Sequence, residues 1–359
     1  MVPGCSTAPS PRPTPAAAAI AVAVASPWPE ADALFRRDAR WLGGDAIYSV
    51  DLGHDRLLWL FGDSFVATDQ GGDRRRATMV RNTLAVQQGR DPATATITFH
   101  WGRGPTGTPR AFFADAGEVG FWPLHGVREP DGALLLFQTR VRSTPGHGLG
   151  FAIEGWRLLR IDDPDADPAT WRPVEVVVDG LPPQVTFGTA TWLDGERLVA
   201  LGTLGNGPHR GVFARLRLGD VGAERATGEL WLGTAWGTAD TVPAAAIVLD
   251  DAGPECSLHD TDDGYVHVRS RGFGATTLVM QRAKSPTGPW SAPQTLFTPP
   301  ESRGERPFVY AGKAHPGLAA GAGWLAVSYA TNSFTFADLF VDAGQRSLYW
   351  PRFWRVPAR

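Results

Sequence analysis

The chain has 359 residues, enough for one large domain or two ordinary ones. It carries 34 Lys and Arg against 37 Asp and Glu, a formal net charge of -3. So near-neutral a balance gives no electrostatic case for nucleic acid or an anionic membrane surface, and an uncharged substrate fits it.

Residues 5–15, CSTAPSPRPTP, have the composition of an unfolded arm. AAAAIAVAVA follows at 16–25, too short to span a bilayer. Arg12 ahead of it and the Ala23-Val24-Ala25 triplet form an export-signal pattern. VPGC around Cys5 offers a second reading, a lipoprotein box without the upstream apolar segment such a box needs. An Ala/Pro arm with no address is the bland third. Residues 1–35 are expected to be an export arm, residues 36–359 a single domain, and the protein to work outside the cytoplasm without a transmembrane span. The two cysteines, Cys5 and Cys256, are silent about redox compartment.

From Trp41 onward, short runs rich in Val, Leu, Phe and Trp alternate with Gly, Pro and Asp turns, and no long amphipathic helix stands out. That is an all-β pattern. The runs fall into five groups. DAIYSVDL, RLLWLFGDSF, RNTLAVQQG and TITFHWG fill 45–102; GFWPLHGV to PVEVVV fill 120–178; TFGTATWL to ELWLGTAW fill 186–236. ECSLHDTDDGYVHVRSR to QTLFTP fill 255–299; YAGKAHPGL, GWLAVSYATN, FADLFVD and YWPRFWRVP fill 310–357. Five groups of about four strands predict a five-bladed β-propeller with four-stranded antiparallel blades; a pair of β-sandwiches is the alternative.

In the first group two aspartates are placed symmetrically. A hairpin through GHD centres on His54, with Asp45 nine residues before it and Asp63 nine after. Such positions face each other across a ladder, so both carboxylates belong to one rim of the sheet. Opposed like charges are costly unless one holds a proton or a cation intervenes, and split proton affinities are what acid/base chemistry needs. The bland reading is an Asx turn at a strand end.

The stretch WLGGDAIYSVDL…LLWLFGDSF with Arg81-Asn82-Thr83 downstream, together with AKSPTGPWSAPQTLF and YAGKAHPGL…VSYATNS, resembles the five-bladed propeller glycoside hydrolases. The resemblance is closest to a former unknown-function domain family that includes endo-D-arabinanases. It implies hydrolysis of an arabinose-containing or related furanoside polysaccharide, with Asp45 and Asp63 as catalytic carboxylates. In arabinanase-type enzymes the residue matching Asp45 is the base and a Glu of a later blade the acid. Glu255 in GPECSLHD matches that Glu, but in the fourth group and not the third, so the acid is Asp63 or Glu255. A hairpin centred near Asp263 would pair Glu255 with Arg271 as a structural ion pair.

The substrate-binding candidates are Arg81, Asn82, Trp122, His125, Lys313 and His315, each with a structural role as its competing reading. Lys313 and His315 alternate across Ala314 and share a strand face. No close His/Cys cluster suggests zinc, and there is neither a G-x-S-x-G elbow nor a P-loop. No cofactor is expected, and a calcium ion in the central channel is not indicated. The expected partner is carbohydrate and the expected state a monomer. The rival function is a non-catalytic carbohydrate- or protein-binding propeller, which has no need of opposed aspartates.

Overall fold

The structure is a computed structural model describing residues 24–144, 150–205 and 207–359. Cys5 and the arm up to residue 23 lie outside the described residues. Side-chain alternation builds the strands: Tyr48–Gly53 buries Tyr48, Val50 and Leu52 and turns Asp51 to solvent. Its neighbour Arg56–Phe61 is buried from Leu57 onward, as befits a strand covered on both faces.

The fold is all-β. Five sheets have four or five strands each among the described residues. The first runs Tyr48–Gly53, Arg56–Phe61, Thr83–Gln88, Thr96–His100. The second starts with Val119–Arg128, the third with Val185–Asp194, the fourth with Cys256–Thr261 and the fifth with Pro307–Ala314. A three-stranded sheet (Trp41–Gly44, Ser64–Ala67, Ala77–Val80) and a two-stranded ribbon (Gly102–Arg103, Pro109–Arg110) are added to the first.

The core lies between sheets. Trp59 and Phe61 of the first sheet pack with Ala326 and Phe353 of the fifth, and Leu58 and Leu60 with Leu136 and Phe137 of the second. Phe187 and Leu198 of the third join that second cluster, Leu201 and Phe213 meet Leu258 of the fourth, and Val268 and Met280 meet Val327 and Tyr329 of the fifth. The first strand of the second sheet touches those of the first and third; that of the fourth touches those of the third and fifth. Ser49 and His315, joined at 2.8 Å, link the fifth back to the first.

Three expectations are corrected. The sheets are not all four-stranded and antiparallel: the second and third have five strands, and in the second Val174–Asp179 pairs parallel with Arg225–Thr227. FADLFVD is not a strand: Phe336–Phe340 is a 3-10 turn, and the fifth sheet takes its fourth strand from Ser26–Pro27. The arm therefore does not extend to residue 35. Ser26–Pro27 pairs with Arg355 and Trp354, and the helix Pro29–Leu34 buries Ala31 and Leu34. Pro29 at its start and Glu30 and Asp32 in its first turn suit a helix N-terminus.

Candidate active site

Asp45 sits just before the first strand of the first sheet, and Asp63 just after the second. The ladder between these strands sets Tyr48 opposite Leu60 and Val50 opposite Leu58. Continued upward it brings the two aspartates together, and the Asp45 amide donates to the Asp63 carbonyl at 3.3 Å. The glycines of GGD and FGD make room. A Cβ on Gly43 would lie 2.0 Å from the Tyr349 carbonyl oxygen, and one on Gly62 would lie 2.5 Å from Asp45 Oδ1.

Asp45 Oδ2 accepts from Tyr310 at 2.8 Å and from Tyr349 at 3.2 Å. Asp63 Oδ1 accepts from Trp122 Nε1 at 2.9 Å and faces Arg81 Nη1 at 3.6 Å. Arg81 is steadied by the Ser143 hydroxyl. Glu255 pairs with Lys313 Nζ at 3.1 Å. Lys313 is 1% exposed, donates to the carbonyls of Ala46 and Ala311, and lies 4.2 Å from the centre of the Tyr48 ring. That buried ammonium ties Glu255 to the backbone next to Asp45 and next to Tyr310.

The backbone around Asp45 is strained. Seven non-glycine residues have positive φ among the described residues: Ala46, Ile47, His54, Asp55, Glu224, Ala311 and Tyr349. His54 and Asp55 form the hairpin turn, and Glu224 follows a short helix. The other four all surround Asp45. Left-handed backbone costs roughly 1–2 kcal/mol per residue and persists only where packing imposes it, most often at functional sites.

The two aspartates sit in different fields. Burial, then the negative charges of Asp63 and Glu255, push Asp45 up to about 8, against the two tyrosine hydroxyls. Burial raises Asp63 too, and Trp122 and Arg81 offset that rise only in part. Burial lowers Lys313, and Glu255 opposes that. The side chains of Asp63 and Glu255 keep 20% and 24% exposure, so both reach solvent. A cleft of about 900 Å³ opens beside Asp63, lined by Arg81, Arg110, Phe112 and Asp115.

The remaining candidates are distributed differently. Glu255 does not face Arg271: Cys256 pairs with Arg269, a half-step shift that sends Glu255 to Lys313. Asn82 is fully buried, donating to the carbonyls of Phe113 and Phe121 and accepting from the Phe113 amide. His315 is 1% exposed between the Ser49 and Ser328 hydroxyls. Both side chains spend their hydrogen bonds within the protein. His125 bonds the Ser49 carbonyl and the Thr191 amide, and lines a second cavity of about 570 Å³ that is bordered by all five first strands and by Lys313. Sequence reasoning missed Tyr310 and Tyr349. Tyr310 sits three residues before Lys313, the wrong parity for a shared face, and only a bulge between them restores it. Tyr349 comes from irregular backbone before the last strand and carried no signal.

Among the described residues no cluster of three or more His, Cys, Asp or Glu is placed to hold a metal ion. No helix among them is long and apolar enough to cross a membrane.

With this geometry in hand, comparison with known proteins adds the family. DUF5005, a domain of unknown function, matches residues 30–358. The chain belongs to that family. No curated protein matches it. Among solved structures, a Bacteroides ovatus protein to which a hydrolase function is attributed is similar with a TM-score of 0.73 and 19% identity, covering 92% of this chain and 90% of the other. That likeness is one of fold. An exo-1,5-α-L-arabinanase from a bovine ruminal metagenomic library is similar at TM-score 0.45 and 12% identity, over 90% of this chain and 95% of the other. A Podospora anserina α-L-arabinofuranosidase is similar at TM-score 0.46 and 13% identity, over 90% and 92%. The structural neighbours of this DUF5005 protein thus include glycoside hydrolases.

Proposed function

We propose that this DUF5005 protein is an exported five-bladed propeller glycoside hydrolase that cleaves an arabinose-containing or related furanoside polysaccharide. One observation carries the reading. Two carboxylates meet at the rim of the first sheet, one in a field that keeps its proton and the other beside a guanidinium. Such a pair is what cleavage of a glycosidic bond requires.

The mechanism follows from the environments. Asp45, pushed up to about 8, holds a proton at neutral pH and gives it to the leaving glycosidic oxygen. Asp63, with Arg81 and Trp122 favouring its charged form, acts on the anomeric carbon, directly or through a water. This exchanges the roles that the arabinanase resemblance implies, where the first aspartate is the base. Glu255 and Lys313 act through Asp45: the Glu255 charge helps to hold the proton, and Lys313 fixes the Ala46 backbone. The five-bladed reading is supported by five successive sheets, each packed on two others. The export reading is supported by the apolar run and the Ala-Val-Ala triplet.

The test is release of reducing ends from arabinan, arabinogalactan and mycobacterial cell-wall arabinan. Asp45→Asn and Asp63→Asn should each lower the rate by ~100- to 10,000-fold, the usual worth of acid or base assistance. Hydrolysis at the parental rate by both variants removes the proposal. Binding without hydrolysis by the parent makes the protein a carbohydrate-binding module instead.

A further inference from the structure

Asp45 is flanked by aromatic rings that continue outward to solvent. Tyr310, its hydrogen-bond donor, lies 5.5 Å from the Phe308 ring. Phe308 lies 4.7 Å from Phe334 and 4.9 Å from Phe273, which are 5.7 Å from each other. Phe334 is 57% exposed and Phe273 55%. Large apolar side chains gathered in the open, one ring away from a carboxylate, are unusual for a protein surface and mark a binding site.

The backbone that carries these rings is tied down. Phe273 sits in the turn between Gly264–Arg271 and Thr277–Ala283, and Gly274 bridges to Val309 of the fifth sheet. Thr276 Oγ1 donates to the Val309 carbonyl at 2.9 Å, fixing the same turn. The Phe334 amide donates to the Arg306 carbonyl at 2.9 Å, and the preceding Ser333 hydroxyl donates to Asp338 at 2.7 Å. A platform ordered in advance costs a ligand little on binding.

We infer that Phe273, Phe308 and Phe334 form a stacking subsite for an uncharged sugar of the substrate chain, beyond the sugar that meets the carboxylates. Phenyl rings offer no hydrogen bond, so they recognise the C–H face of a sugar ring and tolerate its hydroxyl pattern. The platform lies on the Asp45 side, and the cleft with Arg81 and Arg110 lies on the Asp63 side. A glycan spanning both would place its scissile bond between the two aspartates. The inference rests on the proposed carbohydrate substrate and commits to an occupant longer than one sugar.

The experiment has two readouts. In affinity electrophoresis through gels containing arabinan or arabinogalactan, the parent and Asp45→Asn should both be retarded, and Phe273→Ala/Phe334→Ala should not. On the polymer the double variant should raise KM about tenfold at unchanged kcat, the size of one lost stacking contact, while an aryl arabinofuranoside is cleaved as before. Phe273→Trp should keep both retardation and KM, and unchanged melting of all variants shows that the fold is intact. Equal retardation of parent and double variant, or none for the parent, overturns the inference. So does a parental dimer that becomes monomeric in the double variant, because a second copy then covers the rings. Retardation lost only in the double variant, with no hydrolysis by the parent, upholds the subsite and removes the hydrolase reading.

Discussion

In the proposed mechanism the decisive residue is Asp45, because its proton bears on both rate and stability. The hydroxyls of Tyr310 and Tyr349 favour its charged form, against burial and two nearby carboxylates. Tyr349→Phe removes one of those donors, so Asp45 should keep its proton to higher pH. The alkaline limb of the rate profile, expected at about 8 in the parent, should move upward in that variant. If the acid limb moves upward instead and the alkaline limb stays, Asp45 works as the charged partner. The same proton acts on the fold. Asp45 binds it more tightly folded than unfolded, so its contribution to stability is fully present below its ordinary 3.8 and is lost as pH rises towards about 8. Asp45→Asn has no such loss. Its melting temperature should exceed the parent's by a margin that grows between pH 5 and pH 8; a constant margin would deny the raised proton affinity.

At the scale of single elements, the strand Pro307–Ala314 does most to assemble the site. Its register slips between Tyr310 and Lys313, with Ala311 in left-handed backbone, so both side chains reach the carboxylates. Lys313 then neutralises Glu255 from a buried position. Removing one partner of such a pair is far worse than removing both, because a buried charge is left alone. Glu255→Gln should therefore destabilise by about 3 kcal/mol, because Lys313 is left charged at 1% exposure, and Lys313→Met/Glu255→Gln should recover most of that in a urea titration. A double variant no more stable than Glu255→Gln would mean that the ammonium matters for its backbone carbonyls and not for Glu255. This element also shows what the sequence can and cannot reveal. The Asp45–Asp63 meeting was legible because a tight hairpin about His54 keeps a regular count, and Tyr48 does face Leu60. Tyr310 was not legible, since a bulge changes the parity of every later position. The competing reading of Glu255, an ion pair with Arg271, fails because a half-residue error in a turn moves the whole ladder.

The whole molecule depends on joining its two ends. The fifth sheet is made of three late strands and one early one, and a two-residue strand has no periodicity for a reader of sequence to find. What marks it is the packing that follows. Trp28 is 1% exposed under the Arg355 guanidinium, the Trp28 amide donates to the Phe353 carbonyl at 2.8 Å, and Phe35 stacks on Phe353 at 5.0 Å. Asp32 accepts from the Phe353 amide at 2.8 Å and from Arg352 at 3.2 Å. A chain beginning at Arg36 should thus melt well below one beginning at Val24, because it leaves the edge of Arg352–Pro357 unpaired and the Phe353 ring uncovered. The same effect can be read in the full chain. Trp28→Ala should cost ~3–5 kcal/mol, the usual loss for emptying a buried tryptophan site. Since Phe353 also packs against Trp59 of the first sheet, at 5.6 Å, the damage should reach the strand that leads to Asp63. Activity should then fall at temperatures below the melting transition. Full activity up to that transition would show that the end-to-end clasp and the aspartate pair are mechanically independent.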